Sequence, residues 1–346
     1  MMLGISVGVI YNIINAFFIG LIHDTTLLSA VTFGLPVTAL IMALASIWGV
    51  GGGTYISRLL GAKEKGKIKN VSSFVLYGSL LFGCLTSLLC ILFINQIVSI
   101  LGTDLQAFQA TKNYIFYLFI VTPFVVGNFT MEQIVRSEGA AKESMIGMFI
   151  NTIANLIFDV LLILIFKFNV IGAALAFGLS NLCSLLYYIW HLQKNSHNIN
   201  LSLKYFSFDK QIMKEIFSVG ISDFLLTVFL SVISVILNNY AAKYGDDVIA
   251  AFGVSLRIVQ LPEFLCMGLF MGIIPLIAYS YGAQNKKRLK SAMKQTAIAI
   301  SLIAGVFTSI VFLFRKDVFS WFTSSKSLIE IGVFILSVML ISTLFN

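Results

Sequence analysis

Long apolar blocks separated by short polar segments run along the whole sequence. Ten blocks are close to or above the ~18 to 20 residues that an α-helix needs to cross the hydrocarbon core of a bilayer. We therefore predict an all-α membrane protein with ten transmembrane helices, numbered here as spans 1 to 10. Their approximate bounds are 2–22, 27–58, 71–94, 114–135, 145–166, 170–190, 216–242, 248–281, 292–314 and 328–345.

The composition supports this assignment and limits the classes of function. Of the 346 residues, 58% are hydrophobic and 11% are charged, whereas a soluble domain carries about 25% charged residues. The net charge of +8 comes from Lys and Arg in short loops between the apolar blocks, so we expect a lipid bilayer and no nucleic acid as partner. The four cysteines lie inside apolar blocks, and we interpret them as small buried hydrophobic residues.

The distribution of Lys and Arg predicts the orientation in the membrane. Sixteen of the 23 basic residues lie in loops that follow even-numbered spans, six lie in the other loops, and Arg257 lies within span 8. Because cytoplasmic loops carry the excess of positive charge, we expect the N-terminus and the loops after even-numbered spans to face the cytoplasm. We expect a multi-pass monomer in the plasma (inner) membrane.

The sequence contains an internal repeat. Residues 61–69, Gly-Ala-Lys-Glu-Lys-Gly-Lys-Ile-Lys, resemble residues 282–290, Gly-Ala-Gln-Asn-Lys-Lys-Arg-Leu-Lys, at an offset of 221. This offset covers six spans and preserves orientation, which predicts two six-helix lobes related by an axis along the membrane normal. We expect an N-lobe over 1–193, a cytoplasmic linker over 194–211 that acts as a hinge, and a C-lobe over 212–346. The C-lobe has only four spans, so we expect a fragment that lacks the last two helices.

Ionisable residues inside the spans are candidate functional residues, because a charge within a bilayer is costly. Asp159 is the strongest candidate. It lies deep in span 5, and Asn151 and Asn155 precede it on the same helix face at intervals of four residues. A carboxylate near amide oxygens is suited to bind Na⁺ as a metal ligand, and a buried carboxylate is equally suited to exchange a proton. The alternative is a stripe of hydrogen bonds that holds helices together.

Further charged residues are candidates for substrate binding. Glu132 and Gln133 lie near the cytoplasmic end of span 4. Glu132 can attract a cationic substrate there, or it can simply be neutralised by Arg136, one turn away. Arg257 and Glu263 lie six residues apart in span 8, and Arg257 can alternatively have a structural role, paired with a neighbouring helix.

Other features of the sequence bear on the type of reaction. Asp223, near the start of span 7, is a further charged candidate, and alternatively it caps a helix break after Gly220. The sequence has no GxxxxGK[ST] motif and no Ser/His/Asp or Cys/His constellation. We therefore expect no enzyme and no cofactor, and transport driven by a gradient of Na⁺ or H⁺. The 31 Phe and 11 Met residues are suited to bind flat, lipophilic cations.

Several motifs resemble those of the multidrug and toxic compound extrusion (MATE) transporters, and the likeness is greatest to a branch of multidrug exporters. The similarity covers the whole chain. The matching stretches are Ile19-Gly20, Gly49 to Ala62, Glu132-Gln133-x-x-Arg136, Asn155-x-x-x-Asp159, Gly172-Ala173-Ala174, Arg257 to Glu263 and Pro275 to Tyr279. The resemblance implies twelve helices in two six-helix lobes around a central cavity, and export of cationic amphipathic drugs in exchange for Na⁺ or H⁺.

The resemblance also implies roles for individual residues. It places Asn155 and Asp159 in a cation-coupling region of the N-lobe, and it implies that Glu132 affects substrate handling. Many relatives have an aspartate in span 1 where this chain has Asn15. Asn15 is therefore a candidate member of that region, and Asp159 its main titratable group. Some relatives have a glutamate in span 7 where this chain has Leu230, which argues against a Na⁺ site in the C-lobe.

Two other functions compete with a drug:cation antiporter. A flippase for lipid-linked oligosaccharides would share the architecture, but its cavity should be rich in Arg and Lys to hold pyrophosphate. Only Arg257 lies deep in a span here, which argues against that function. The other alternative is a truncated chain with no activity of its own.

Overall fold

The computed structural model describes residues 25–101, 105–244, 246–320 and 326–343, and every regular element within these ranges is helical. The α-helices are α1 (Thr25–Ala62), α2 (Lys65–Leu92), α3 (Ile94–Ile100), α4 (Leu105–Ser137), α5 (Ala141–Asp159), α6 (Asn169–Asn195), α7 (Lys210–Ala242), α8 (Asp246–Gly282), α9 (Lys286–Leu313), α10 (Arg315–Ser320) and α11 (Lys326–Thr343). A π-helix, Val160–Ile165, continues α5 directly, and a 3₁₀ turn, Leu203–Tyr205, lies between α6 and α7.

Spans 2 to 10 each correspond to one long helix, which confirms the all-α membrane architecture. Among the described residues, eight helices are long and apolar enough to cross a bilayer, and α11 contains a shorter apolar stretch, Leu328–Thr343. Span 1, predicted over residues 2–22, lies outside the described residues. Hydropathy did not predict α3 and α10, because helices of seven and six residues are too short to form a span of their own.

The internal repeat extends to the helix boundaries. α2 and α9 begin 221 residues apart, and α3 and α10 begin at the same offset. The turns after α1 and α8 are also alike, since Lys63 and Gln284 have positive φ angles of 60° and 54°. In each turn the next residue, Glu64 or Asn285, donates its N–H to the carbonyl five residues earlier, at 3.0 Å. This is the Schellman arrangement that ends many helices, so the repeat in the sequence is a repeat in the backbone.

The chain divides into two compact units. Of the described residues, those between 25 and 226 and those at 275–286 form the larger unit, and those at 227–274 and between 287 and 343 form the smaller unit. The smaller unit has its own core, in which Phe319 and Leu336 are fully buried. The lobe boundaries at residues 193 and 212 stay a prediction.

Two apolar cores stabilise the larger unit. In the first, the ring of Trp48 packs against Phe74 and Phe217, with centroid distances of 5.6 and 5.3 Å. The second core surrounds Ile115 and Phe119 of α4, which are 0% and 2% exposed. Because α4 contributes to both cores, it is the central helix of this unit and carries the candidate residues of span 4.

The connector between α6 and α7, predicted as a hinge, is docked on α2 over much of its length. The hydroxyl groups of Ser72, Ser73 and Tyr77 donate to backbone carbonyls of residues 200–202 at 2.9–3.0 Å. Phe206 then packs edge-on against Tyr77, with ring centroids 6.3 Å apart. α2 thus supplies the partners for the connector's backbone, and the role of the connector as a hinge stays a prediction.

The start of this connector is held by Glu138, in the loop between α4 and α5. The hydroxyl of Ser196 donates to the Glu138 carboxylate at 2.6 Å and accepts the N–H of Ile199 at 2.9 Å. Burial raises the pKa of Glu138 above its usual range, while the Ser196 hydrogen bond and the nearby His191 and His197 oppose this rise. The protonation state of the Glu138 carboxyl and the docking of the connector therefore affect one another.

The interpretation of the cysteines as buried residues is wrong. Cys84 is exposed, and the other three are partly buried. Cys84 lies on α2 near Leu81, Leu85 and Leu88, which are 56%, 50% and 56% exposed. Hydropathy indicates that a residue lies in the membrane, but it does not distinguish a side chain that faces lipid from one that faces another helix.

Candidate cation-coupling and substrate-binding site

The predicted polar stripe lies on α5, and the structure places two of its three members in the protein interior. Asn155 and Asp159 are 1% and 0% exposed, whereas Asn151 is partly buried. Their spacing of four residues puts them on one face, as expected for an α-helix. Asp159 is therefore an ionisable group enclosed by protein within a membrane-spanning helix, which is a functional-site candidate by default.

The backbone changes conformation immediately after Asp159. This residue ends α5, and the π-helix Val160–Ile165 follows without a break. The N–H of Phe166 donates to the carbonyl of Leu161, five residues earlier, at 2.8 Å. Short π-helical segments in α-helices occur frequently at functional sites. The sequence pattern predicted a single regular span over 145–166, because an α-helix and a π-helix within a bilayer have the same apolar composition.

Side chains from α4 and α6 surround the stripe. The Asn155 amide donates to the Ser180 hydroxyl at 3.0 Å, and Ser180 in turn donates to the carbonyl of Phe177 at 2.9 Å. Tyr114 of α4, only 8% exposed, lies within electrostatic range of Asp159. The Asp159 carboxylate, the Asn155 amide and the Ser180 hydroxyl offer oxygen donors, which hard cations such as Na⁺ prefer. These groups are suited to hold a Na⁺ ion or, at the carboxylate, a proton, and their role in cation coupling stays a prediction.

Sequence reasoning missed a second polar contact, between Asn128 of α4 and Asn181 of α6. The Asn128 amide donates to Oδ1 of Asn181 at 2.9 Å, and the Asn181 amide donates to the carbonyl of Phe177 at 2.7 Å. Both residues are buried. Asn181 follows Ser180, and Asn128 precedes Glu132 by one turn. The signal in the sequence was an amide in each of two apolar spans, but nothing in the sequence showed that the two are paired.

Glu132 and Arg136 form an ion pair on α4. The Arg136 guanidinium donates to the Glu132 carboxylate and, at 3.3 Å, to Oε1 of Gln133. The Arg136 and Glu132 side chains are only 3% and 14% exposed. Nearby, the Tyr188 hydroxyl of α6 donates to the carbonyl of Ser144 at 2.8 Å. The Glu132–Arg136 ion pair agrees with the alternative in which Arg136 neutralises Glu132. A role of Glu132 and Gln133 in substrate binding stays a prediction.

The remaining candidates lie elsewhere. Arg257 and Glu263 are in the smaller unit, and both are exposed on α8; their role in substrate binding stays a prediction. The interpretation of Asp223 as a cap is wrong, because α7 runs without a break through Gly220 and Asp223. Asn15 lies outside the described residues.

Comparison with protein families identifies relatives along most of the chain. The profile of the MatE family matches residues 1–161 and 224–346. The multidrug export protein MepA of Staphylococcus aureus (strain NCTC 8325 / PS 47) is 41% identical over 346 residues, which are 100% of this chain and 76% of the relative. The likeness to multidrug exporters noted in the motifs thus extends along the whole sequence.

Solved structures show the same architecture. A crystal structure described as MATE in the straight conformation superposes with a TM-score of 0.92 and 26% identity, covering 99% of this chain and 77% of that chain. A second structure, described as the outward-facing conformation of a multidrug resistance MATE family transporter, superposes with the same TM-score and identity, covering 100% and 77% of the two chains.

Proposed function

The chain belongs to the MatE family of membrane transporters, and we propose that it exports cationic lipophilic drugs in exchange for Na⁺ or H⁺. The observation that carries this proposal is the Asp159 carboxylate, which is fully buried within a membrane-spanning helix. A carboxylate at this depth is stable when a proton or a metal cation neutralises it, and costly when it is charged and empty.

Binding and release of a cation at Asp159 couple the cation gradient to drug export. Side chains of α4, α5 and α6 meet around it, among them Tyr114, Asn155 and Ser180. A ligand shifts a conformational equilibrium only by its difference in affinity for the two states. Asp159 with a bound cation favours the enclosed arrangement seen here, and empty Asp159 favours an arrangement in which the carboxylate reaches water. The exchange of one cation thus drives the change between the two arrangements.

The substrate class follows from the side chains that the spans provide. Arg136 neutralises Glu132 in this structure. A cationic substrate therefore binds near Glu132 either by displacing Arg136 or by contact with aromatic rings. Phe129 precedes Glu132 by three residues on α4, and a Cβ atom added at Gly49 would lie 2.8 Å from its ring. Aromatic rings bind lipophilic cations through the ring quadrupole. We place the basic loops and the N-terminus in the cytoplasm. The substrate therefore enters the transporter from the cytoplasmic side, where the basic loops lie.

Ethidium transport by the purified chain in proteoliposomes tests the proposal. An imposed proton gradient or an imposed Na⁺ gradient should drive ethidium across the membrane, and the effective gradient identifies the coupling ion. A neutral lipophilic dye of similar size should not be driven. Absence of ethidium transport under both gradients, with the protein folded and correctly inserted, would refute the function.

A further inference from the structure

α1 and α8 meet backbone to backbone at the basic end of the larger unit. A Cβ atom added at Gly61 would overlap the carbonyl oxygen of Tyr279, and a Cβ atom added at Gly282 would overlap the carbonyl oxygen of Arg58. Gly61 and Gly282 occupy equivalent positions of the repeat, 221 residues apart, and so do Arg58 and Tyr279. The contact is therefore reciprocal: each helix presents a glycine to a carbonyl of the other.

α1 makes a second contact of the same kind with α7. A Cβ atom at Gly51 would overlap the carbonyl oxygen of Ile216, and a Cβ atom at Gly220 would overlap the carbonyl oxygen of Ile47. Glycine allows two helix backbones to approach more closely than any other residue. With a glycine contact to each partner, the backbone of α1 lies directly against the backbones of α7 and α8 at these positions.

A single arginine joins the same three helices beside the glycine contacts. Nη1 of Arg58 lies 2.7 Å from Oε2 of Glu215 on α7, and the guanidinium lies over the ring of Tyr281 on α8, 5.3 Å from its centroid. The Arg58 and Glu215 side chains are 31% and 33% exposed. An ion pair this exposed contributes little to stability, so it can separate repeatedly without a large barrier.

We propose that the Gly61/Gly282 contact and the Arg58–Glu215 ion pair form a gate that closes the cytoplasmic side of the transport path. The inference rests on the proposed function and on the cytoplasmic placement of the basic loops. The two glycines provide a tight seal that depends on packing alone, and Arg58 keeps the three helices in register. An exporter must admit its substrate from the cytoplasm, so these contacts must separate once in each cycle.

Access of a thiol reagent to a buried position at the gate tests the proposal. Ala278 is 5% exposed and lies one turn before Gly282 on α8. In a chain whose four native cysteines are replaced by alanine, Ala278→Cys introduces a reporter with little added volume. Inside-out vesicles are treated with a membrane-impermeant maleimide. Gly61→Ala and Gly282→Ala should each raise the labelling rate several-fold, because the new methyl group forces the helices apart.

Two glycines provide matched controls. A Cβ atom at Gly66 or at Gly305 would meet no heavy atom within 4 Å, so Gly66→Ala and Gly305→Ala should leave the labelling rate unchanged. A second pair of variants keeps the test decisive if Gly61→Ala fails to fold. Arg58→Glu alone should raise labelling, and the addition of Glu215→Arg should restore the low rate, because the ion pair is then rebuilt with its charges exchanged.

The outcomes separate this inference from the proposed function. If Gly61→Ala and Arg58→Glu label no faster than Gly66→Ala while the parent chain transports ethidium, the gate is wrong and the exporter stands. If labelling responds as expected but the parent chain moves no ethidium under either gradient, the contacts close the protein and the proposed function is wrong.

Discussion

Two of the buried polar side chains that the sequence singles out in the larger unit are held by a partner on the same helix or on a neighbouring one. Asn155 is held by Ser180 on α6, and Glu132 is held by Arg136 on its own helix. The sequence identified Asp159, Asn155 and Glu132 because a polar residue stands out in an apolar span. It could not identify Ser180 as a partner, because that contact depends on how α5 and α6 pack.

The Glu132–Arg136 pair should contribute strongly to stability, because both side chains are nearly enclosed. Arg136→Gln leaves the Glu132 carboxylate buried without its cation, and loss of one partner of a buried ion pair costs about 3–5 kcal/mol. We therefore expect a clearly lower thermal unfolding midpoint for the purified variant in detergent. The double variant Arg136→Gln with Glu132→Gln removes both charges and should recover much of the loss. A double variant no more stable than Arg136→Gln alone would show that the charge pair is not the cause.

Glu138 should make the docking of the connector depend on pH. Because burial raises the pKa of this carboxyl, the folded state favours its protonated form. The contribution to stability is complete below the usual glutamate pKa of about 4.3, and it is lost as pH rises through the raised value. Amide hydrogen exchange of residues 196–202, corrected for intrinsic rates, should therefore show weaker protection at higher pH.

The variant Glu138→Gln is the control for this pH dependence. It retains an oxygen that can accept the Ser196 hydrogen bond but cannot ionise, so protection should change much less with pH. His191 and His197 are present in both proteins, and their own titration cancels in the comparison. An identical pH profile in the two proteins would contradict the role given to Glu138.

At the scale of helices, the apolar blocks predicted the order and type of the long elements, but not their interruptions. The spans agree with the long helices because a bilayer requires both apolar length and internal hydrogen bonds. The π-helix after Asp159 and the docked connector are absent from the prediction. Both depend on contacts between elements. α6 lies against the π-helix, since a Cβ atom at Gly172 would come within 2.9 Å of the Leu162 carbonyl oxygen. α2 provides the hydroxyl groups that hold the connector.

The docked connector should resist proteolysis until its aromatic contact is lost. Phe206 packs between Phe74 and Tyr77, and Lys204 and Lys210 are exposed trypsin sites on either side. Phe206→Ala should accelerate tryptic cleavage in this segment. Leu203→Ala is the matched control, because Leu203 is 64% exposed and its truncation removes little packing. Equal cleavage rates in the two variants would mean that the aromatic contact does not hold the connector.

For the whole molecule, the repeat is the feature that joins sequence to mechanism. A nine-residue similarity predicted two related halves, and the structure reproduces it in helix starts and in the turns at Lys63 and Gln284. The reciprocal glycine contact between α1 and α8 involves equivalent positions of this repeat, since Gly61 faces Tyr279 and Gly282 faces Arg58. The sequence alone could not show this contact, since glycines are frequent in membrane helices for several reasons.

The central claim is that Asp159 couples cation movement to drug export, and transport by Asp159→Asn tests it most directly. The native chain in proteoliposomes should accumulate ethidium under the effective cation gradient and should also exchange internal for external ethidium without a gradient. Asp159→Asn should retain the exchange and lose the gradient-driven accumulation, because an amide cannot bind and release a proton or balance the charge of Na⁺. Glu330→Gln, which removes an exposed carboxylate from the apolar helix α11, controls for the loss of a carboxylate elsewhere in the chain. Gradient-driven accumulation by Asp159→Asn equal to that of the native chain would contradict the account.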